Sequence, residues 1–221
     1  MKPLATQTTS APSHEGTSAW GSVADWLAKI FLAPPDQTFV ENLRREETVI
    51  LFTELGEIFE CNDATGAMLG LVNAGGPSEI KRILERCYTD LFEGITGPRT
   101  VLLYESAYYG DGHRLFQEPL SEMNATLQRL DIAVDAACAE PADHLAIELA
   151  ALAYALKCGD MQEAAGLVGR LRTWTLVLSS RLQASDQVGF YAAATKLLVA
   201  YLSAISETIA MATRAQTTVT H

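Results

Sequence analysis

The sequence predicts an all-α fold, a helical bundle of two halves built around one core. Three features predict it. Apolar residues recur at three- and four-residue spacing through most of the 221-residue chain, the pattern of helices with one buried face. Strand-like alternation is nearly absent. Proline and glycine clusters fall at helix-length intervals, where they stop one helix and start the next. With 48% hydrophobic and 19% charged residues, the chain can build a sizeable core, and global disorder is excluded.

Residues 1–17 are rich in Ser, Thr, Pro and Gly and read as a disordered tail. Residues 18–213 form the helical domain, and 214–221 a frayed end. Trp20, Val23, Leu27 and Ile30 lie at helical spacing, and Pro34-Pro35 stops that helix. Asp36 can cap the next, which carries Phe39, Leu43, Phe52, Leu55 and Phe59 as one long helix or two. Pro77, in the turn Gly75–Ser78, suits a first helical position ahead of Ile80, Ile83, Leu84, Cys87 and Leu91. Gly94–Pro98 ends that stripe, and 99–117 is irregular; Thr100–Tyr104 has strand character but no partner strand. Pro119 opens a helix with Met123, Leu127 and Leu130, and Pro141 another with Leu145, Leu149, Leu152 and Leu156. Gly159-Asp160 precedes a helix bearing Leu167, Val168, Leu171, Trp174 and Leu178. Ser185 or Asp186 caps the last and longest helix.

Composition narrows function. A formal net charge of −11 repels phosphate backbones and disfavours nucleic acid, while it attracts basic peptides and speeds their encounter. Cys61, Cys87, Cys138 and Cys158 form no CxxC, so they read as core thiols of a reducing compartment and no metal is expected. The first residues lack the apolar stretch of a secretory signal. No run of about 18 consecutive apolar residues predicts a membrane span. Arg44-Arg45 sits inside a helical pattern and is not an export signal.

The richest segment is Glu140-Pro141-Ala142-Asp143-His144-Leu145. Pro141 fits a first helical turn, and Asp143 complements a positive helix N-terminus. His144 and Glu148 are i,i+4 neighbours that can pair. A connector thus meets a helix start with its ionisable groups crowded together, which serves either as a lock on the helix or as the lip of a binding site.

E-P-x-D-H-L before a leucine-rich helix resembles the signature of the TorD/DmsD/NarJ family of redox-enzyme maturation chaperones, its TorD/DmsD branch in particular. Two weaker features keep the family's order. Leu91-Phe92 is followed by Tyr104-Glu105-Ser106-Ala107-Tyr108, similar to a Y-x-S-x-Y/W element, and Phe190-Tyr191 opens a long helix after one bearing Trp174. The match spans about residues 80–205. It departs from the family at Gly97–Tyr104, which lacks a proline before the tyrosine.

The resemblance implies a single TorD-like domain whose halves meet at a hinge near Glu140-Pro141. It implies a cytoplasmic, cofactor-free binding protein, monomeric or homodimeric and with no stable membrane insertion. Its partner would be the twin-arginine signal peptide or apo body of a molybdopterin oxidoreductase precursor. A receptor for two guanidinium groups needs carboxylates beside an apolar groove. The candidates are Tyr104, Glu105, Ser106, Tyr108, Glu140, Pro141, Asp143, His144 and Glu148, with Tyr109 and Phe116 as further groove residues.

Each candidate has a plainer reading. Asp143 and His144 can serve the helix start alone, the tyrosines can be packing residues, and Gly110–His113 can be a simple turn. Catalysis is poorly supported. Di-metal bundles use Glu-x-x-His pairs and hydrolases a G-x-S-x-G elbow, and neither occurs. A helical adaptor with a different peptide partner shares the fold and groove logic and is the principal alternative.

Overall fold

The computed structural model of the chain describes residues 14–94, 100–109, 118–135 and 138–219, and within them the protein is all-α. Nine α-helices are described: α1 (His14–Leu32), α2 (Gln37–Leu43), α3 (Glu46–Ile58), α4 (Asn62–Asn73), α5 (Pro77–Tyr88), α6 (Glu118–Arg129), α7 (Leu145–Cys158), α8 (Met161–Ser185) and α9 (Phe190–Val219). Among the described residues the β character amounts to one antiparallel bridge, Tyr104 with His144.

The centre of the bundle is α7. Its residues Leu145–Leu149, Ala151–Ala153, Ala155 and Leu156 are buried, and all of them but Glu148 are apolar, as befits a core helix. Its alanines let neighbours approach closely. α1 lies along it, and a Cβ at Gly21 would fall 2.9 Å from the Ala153 carbonyl oxygen. α8 packs on α7 and on α9, and α9 packs on α4. The two halves therefore share one core. By length and composition Phe190–Ala212 could cross a membrane, but here Tyr191, Leu197, Leu198, Tyr201 and Ile205 are buried inside the bundle. Trp174 and Phe190-Tyr191 are core residues as expected. Trp20 stacks on Phe59 and meets Tyr201, while Trp26 meets Phe39 and Phe52.

Several boundaries differ from expectation. α1 starts at His14, so residues 14–17 are helical rather than tail, and α9 runs to Val219, beyond the expected fraying point. The stretch Asp36–Phe59 is two helices, the first capped by Asp36, whose carboxylate accepts the Phe39 N–H at 2.7 Å. The apolar pattern assigned nothing to α4, because small residues such as Ala64 and Thr65 form half of its buried face. α7 begins at Leu145, not Pro141. The stretch from Pro141 to His144 is a turn, closed by the His144 N–H on the Pro141 carbonyl (3.0 Å). Cys61 and Cys87 are buried, but Cys138 is half-buried and Cys158 exposed, so only two of the four are core thiols.

Candidate functional site

The connector at 100–109 crosses the start of α7 and is tied to it by backbone. The Leu145 N–H donates to the Leu103 carbonyl (2.8 Å) and the Glu105 N–H to the Asp143 carbonyl (3.0 Å). These two bonds join the tyrosine-serine segment to the E-P-x-D-H segment, 36 residues apart between Tyr104 and Glu140.

Side chains then seal the seam. The Tyr104 hydroxyl donates to Glu140 Oε2 at 2.8 Å, and its ring meets His144 edge to face at 5.3 Å. The Ser106 N–H donates to Asp143 Oδ2 at 3.2 Å. The Tyr108 hydroxyl donates to the Leu102 carbonyl at 2.8 Å; its ring lies against Trp174 and under the Arg181 guanidinium. Among the described residues, Ser106 Oγ and Asp143 Oδ1 are buried without a hydrogen-bond partner.

His144 is the cap of α7. Its Nδ1 accepts the Ala146 N–H at 3.2 Å, which places the ring proton on Nε2, 3.9 Å from Glu140 Oε2. That distance is too long for a hydrogen bond. Burial lowers the imidazole pKa, against the pull of Glu140 and Asp143, so the ring is neutral at pH 7. The expected His144–Glu148 pair does not form. Asp143 holds Ser106 rather than the helix N-terminus.

Glu148 instead faces α8. Its Oε1 lies 3.4 Å from Arg170 Nε, and its Oε2 accepts the Trp174 Nε1–H at 3.3 Å. Arg170 also binds Glu105, the Pro119 carbonyl, and Glu122 at 3.2 Å. One guanidinium thereby ties the connector, α6, α7 and α8 together. Burial pushes Glu148 well above the usual carboxylate range, reinforced by the charge of Glu105 and opposed by Arg170. Burial likewise raises Glu105, again opposed by Arg170. Both carboxyls are thereby shifted toward the protonated form, and their titrations are coupled.

Over Arg170 opens a cleft of about 650 Å³ between the connector, α6 and α8. Glu105, Tyr108, Tyr109, Glu122, Glu163, Arg129 and Trp174 line it along with Arg170. Arg129 holds Glu163 by two bonds, 2.5 and 3.0 Å, and the Tyr109 hydroxyl donates to Glu118 at 2.8 Å. The Glu122 side chain is 61% exposed at the mouth. Carboxylates and aromatic faces in one cleft are suited to a guanidinium-bearing segment.

The structure thus brings all nine sequence candidates to one region, but in two roles. Ser106, Asp143, His144 and Glu148 are buried in the seam, with Tyr104, Glu140 and Pro141 at its rim, while Glu105 and Tyr108 reach the cleft. Phe116 and Gly110–His113 lie outside the described residues. Sequence reasoning missed Arg170, Glu122 and Glu163. Arg170 carried a usable signal: it stands four residues before Trp174 and three after Leu167, a cation on an apolar helical face, which requires buried acidic partners.

Comparison with known proteins agrees with this architecture. Residues 64–187 match the family described as nitrate reductase delta subunit. The chaperone protein TorD of Aliivibrio fischeri is 28% identical over 190 residues, covering 80% of this chain and 88% of that one. The Vibrio vulnificus protein of the same name is 29% identical over 189 residues, covering 80% and 87%. That of Ferrimonas balearica is 36% identical over 109 residues, covering 45% and 48%. An all-helical bundle with a seam-bound connector and an acidic cleft is therefore the class at hand. The chain belongs to the nitrate reductase delta subunit family, the TorD-type redox-enzyme maturation chaperones.

Proposed function

We propose that this protein is a system-specific chaperone for a molybdoenzyme. It binds the twin-arginine signal of the precursor, in the cytoplasm, and holds the client until its cofactor is inserted. It works by binding, not catalysis.

One observation carries this reading: the Tyr104–Tyr108 segment, tied by backbone bonds to the Glu140–Leu145 segment, walls a cleft that holds Glu122 and Glu163 beside Tyr108, Tyr109 and Trp174. The seam residues Tyr104, Ser106, Glu140, Pro141, Asp143, His144 and Glu148 hold the cleft wall, with Glu140-Pro141 as the hinge between halves. Glu105 and Tyr108, with Glu122 and Glu163, meet the arginine-bearing segment. The exposed Glu122 carboxylate suits this role best, because a client arginine gains a partner there without the cost of breaking a buried pair.

Isothermal titration with signal peptides of molybdoenzymes from the same organism tests the reading. Saturable binding that Arg-to-Gln substitution of both arginines abolishes is expected. Binding of none of the signals would favour a helical adaptor with a different client.

A further inference from the structure

A second concave surface lies away from the cleft, between α1, α2 and α3. It encloses about 760 Å³ and shares no lining residue with the cleft. Trp20, Trp26, Phe39, Leu51, Leu55 and Ile58 form its walls, and among the described residues the one ionisable side chain lining it is Lys29. Leu51 is 49% exposed and Ile58 63% exposed, although both lie on an ordered helix beside a large core. Scattered apolar side chains on a surface are ordinary, but a groove walled by them is a binding feature.

The charges around the groove define what fits it. On α3, Glu47, Leu51, Glu54 and Ile58 follow one another at four-, three- and four-residue spacing, so they form one stripe along the helix. Acidic and apolar positions alternate on that stripe. All four charged residues of α3 (Glu46, Glu47, Glu54 and Glu57) are acidic. A second copy of the chain is a poor occupant, since it would bring like stripes together in a molecule of net charge −11.

We propose that this groove docks an apolar helical segment flanked by basic residues. Its side chains would lie between Trp26 and Ile58 while its cations meet Glu47 and Glu54. Helix-in-groove recognition reads such a partner through positions i, i+3, i+4 and i+7, the spacing α3 itself presents. This docking does not depend on twin-arginine recognition in the cleft.

The test uses the full chain and a labelled leucine-alanine helical peptide with two lysines at each end and one photoreactive leucine. The lysines replace arginines, so failure of the cleft reading leaves this experiment unaffected. Anisotropy is expected to show saturable binding, at least tenfold weaker for Leu51→Glu/Ile58→Glu and several-fold weaker for Glu54→Lys. Leu51 and Ile58 are exposed, so circular dichroism melting is expected to show the double variant folded; Glu54→Lys gives an independent arm if it is not. Cross-links are expected on α1 and α3. Absence of binding, or cross-links confined to the α6–α8 cleft, overturns the proposal. So does a double variant that changes the sedimentation coefficient but not the peptide affinity, which would assign the groove to a second copy.

Discussion

His144 and Asp186 each close the N-terminal end of a long core helix, but their surroundings differ. Asp186 sits between α8 and α9 and acts as a lock. Its Oδ1 accepts the N–H groups of Val188 and Gly189, both at 2.9 Å, and its Oδ2 those of Tyr191 (2.8 Å) and Ala192 (3.0 Å). The Cys87 thiol adds a contact at 3.3 Å, and burial keeps that thiol protonated. Both oxygens of this carboxylate are occupied by groups whose positions the turn dictates. The unpartnered group nearby, the Tyr191 hydroxyl, belongs to a side chain packed against the rings of Phe31, Tyr88 and Phe92.

At α7 the cap needs only His144 Nδ1, yet Asp143, Glu148 and Glu105 are buried there as well, with the half-buried Arg170 against them. Asp143 Oδ1 and Ser106 Oγ lack partners among the described residues. Ionisable groups beyond what a helix start needs are costly to bury, and they cluster where proteins bind or switch. The difference teaches how to read a capping motif: one satisfied carboxylate marks a structural turn, and a surplus of buried charge beside a cleft marks a site.

The sharpest way to break this comparison is to remove Arg170. Arg170→Ala leaves Glu148 buried without its cation, and the expected loss is about 3–5 kcal/mol in urea unfolding. A loss under about 1 kcal/mol would mean that the buried network is not a coupled unit. Asp186→Ala removes the acceptor for four backbone amides and is expected to cost about 2 kcal/mol, the upper end for a helix cap. Its affinity for signal peptides should be unchanged, which separates a lock from a site.

A smaller effect sharpens the contrast through pH. The His144 pKa is lowered in the folded state. Below the ordinary value near 6.5 the unfolded chain takes up a proton that the folded chain refuses. The stabilising contribution is therefore complete above that pH and is lost as pH falls from it toward the folded pKa. Glu148 runs the other way: its raised pKa gives stability that is present below the ordinary carboxylate range and declines as pH rises through the folded value. His144→Asn keeps a capping acceptor and should flatten the acid-side slope, by at most about 1.4 kcal/mol per pH unit, as pH falls below about 6.5. An unchanged slope would show that His144 titrates normally in the fold.

Much of this was legible in the sequence because it is local. Helical periodicity identified every long helix except α4, whose buried face is partly Ala and Thr and too small to register as a stripe. The E-P-x-D-H segment was legible as the place where chemistry concentrates, but Pro141 was misread as a first helical residue. Backbone bonds from Leu145 to Leu103 and from Glu105 to Asp143 hold residues 143–145 against the connector and delay the helix to Leu145. That is a tertiary override of a local preference. The partners of Arg170 come from Glu105, Pro119, Glu122 and Glu148, four separate stretches that no spacing rule relates. For the same reason the carboxylates of the seam looked available to a client, whereas Asp143 and Glu148 are enclosed, Glu163 is half-buried against Arg129, and Glu122 is the exposed carboxylate of the cleft.

The most direct test of the central claim is a titration of a molybdoenzyme twin-arginine signal against the wild type and Glu122→Lys/Glu163→Lys, at low and physiological salt. The account predicts that the charge reversal weakens binding at least tenfold, that salt weakens the wild type more than the variant, and that the fold is unchanged. Equal affinity of the two proteins for the signal would contradict it and remove the cleft from the function.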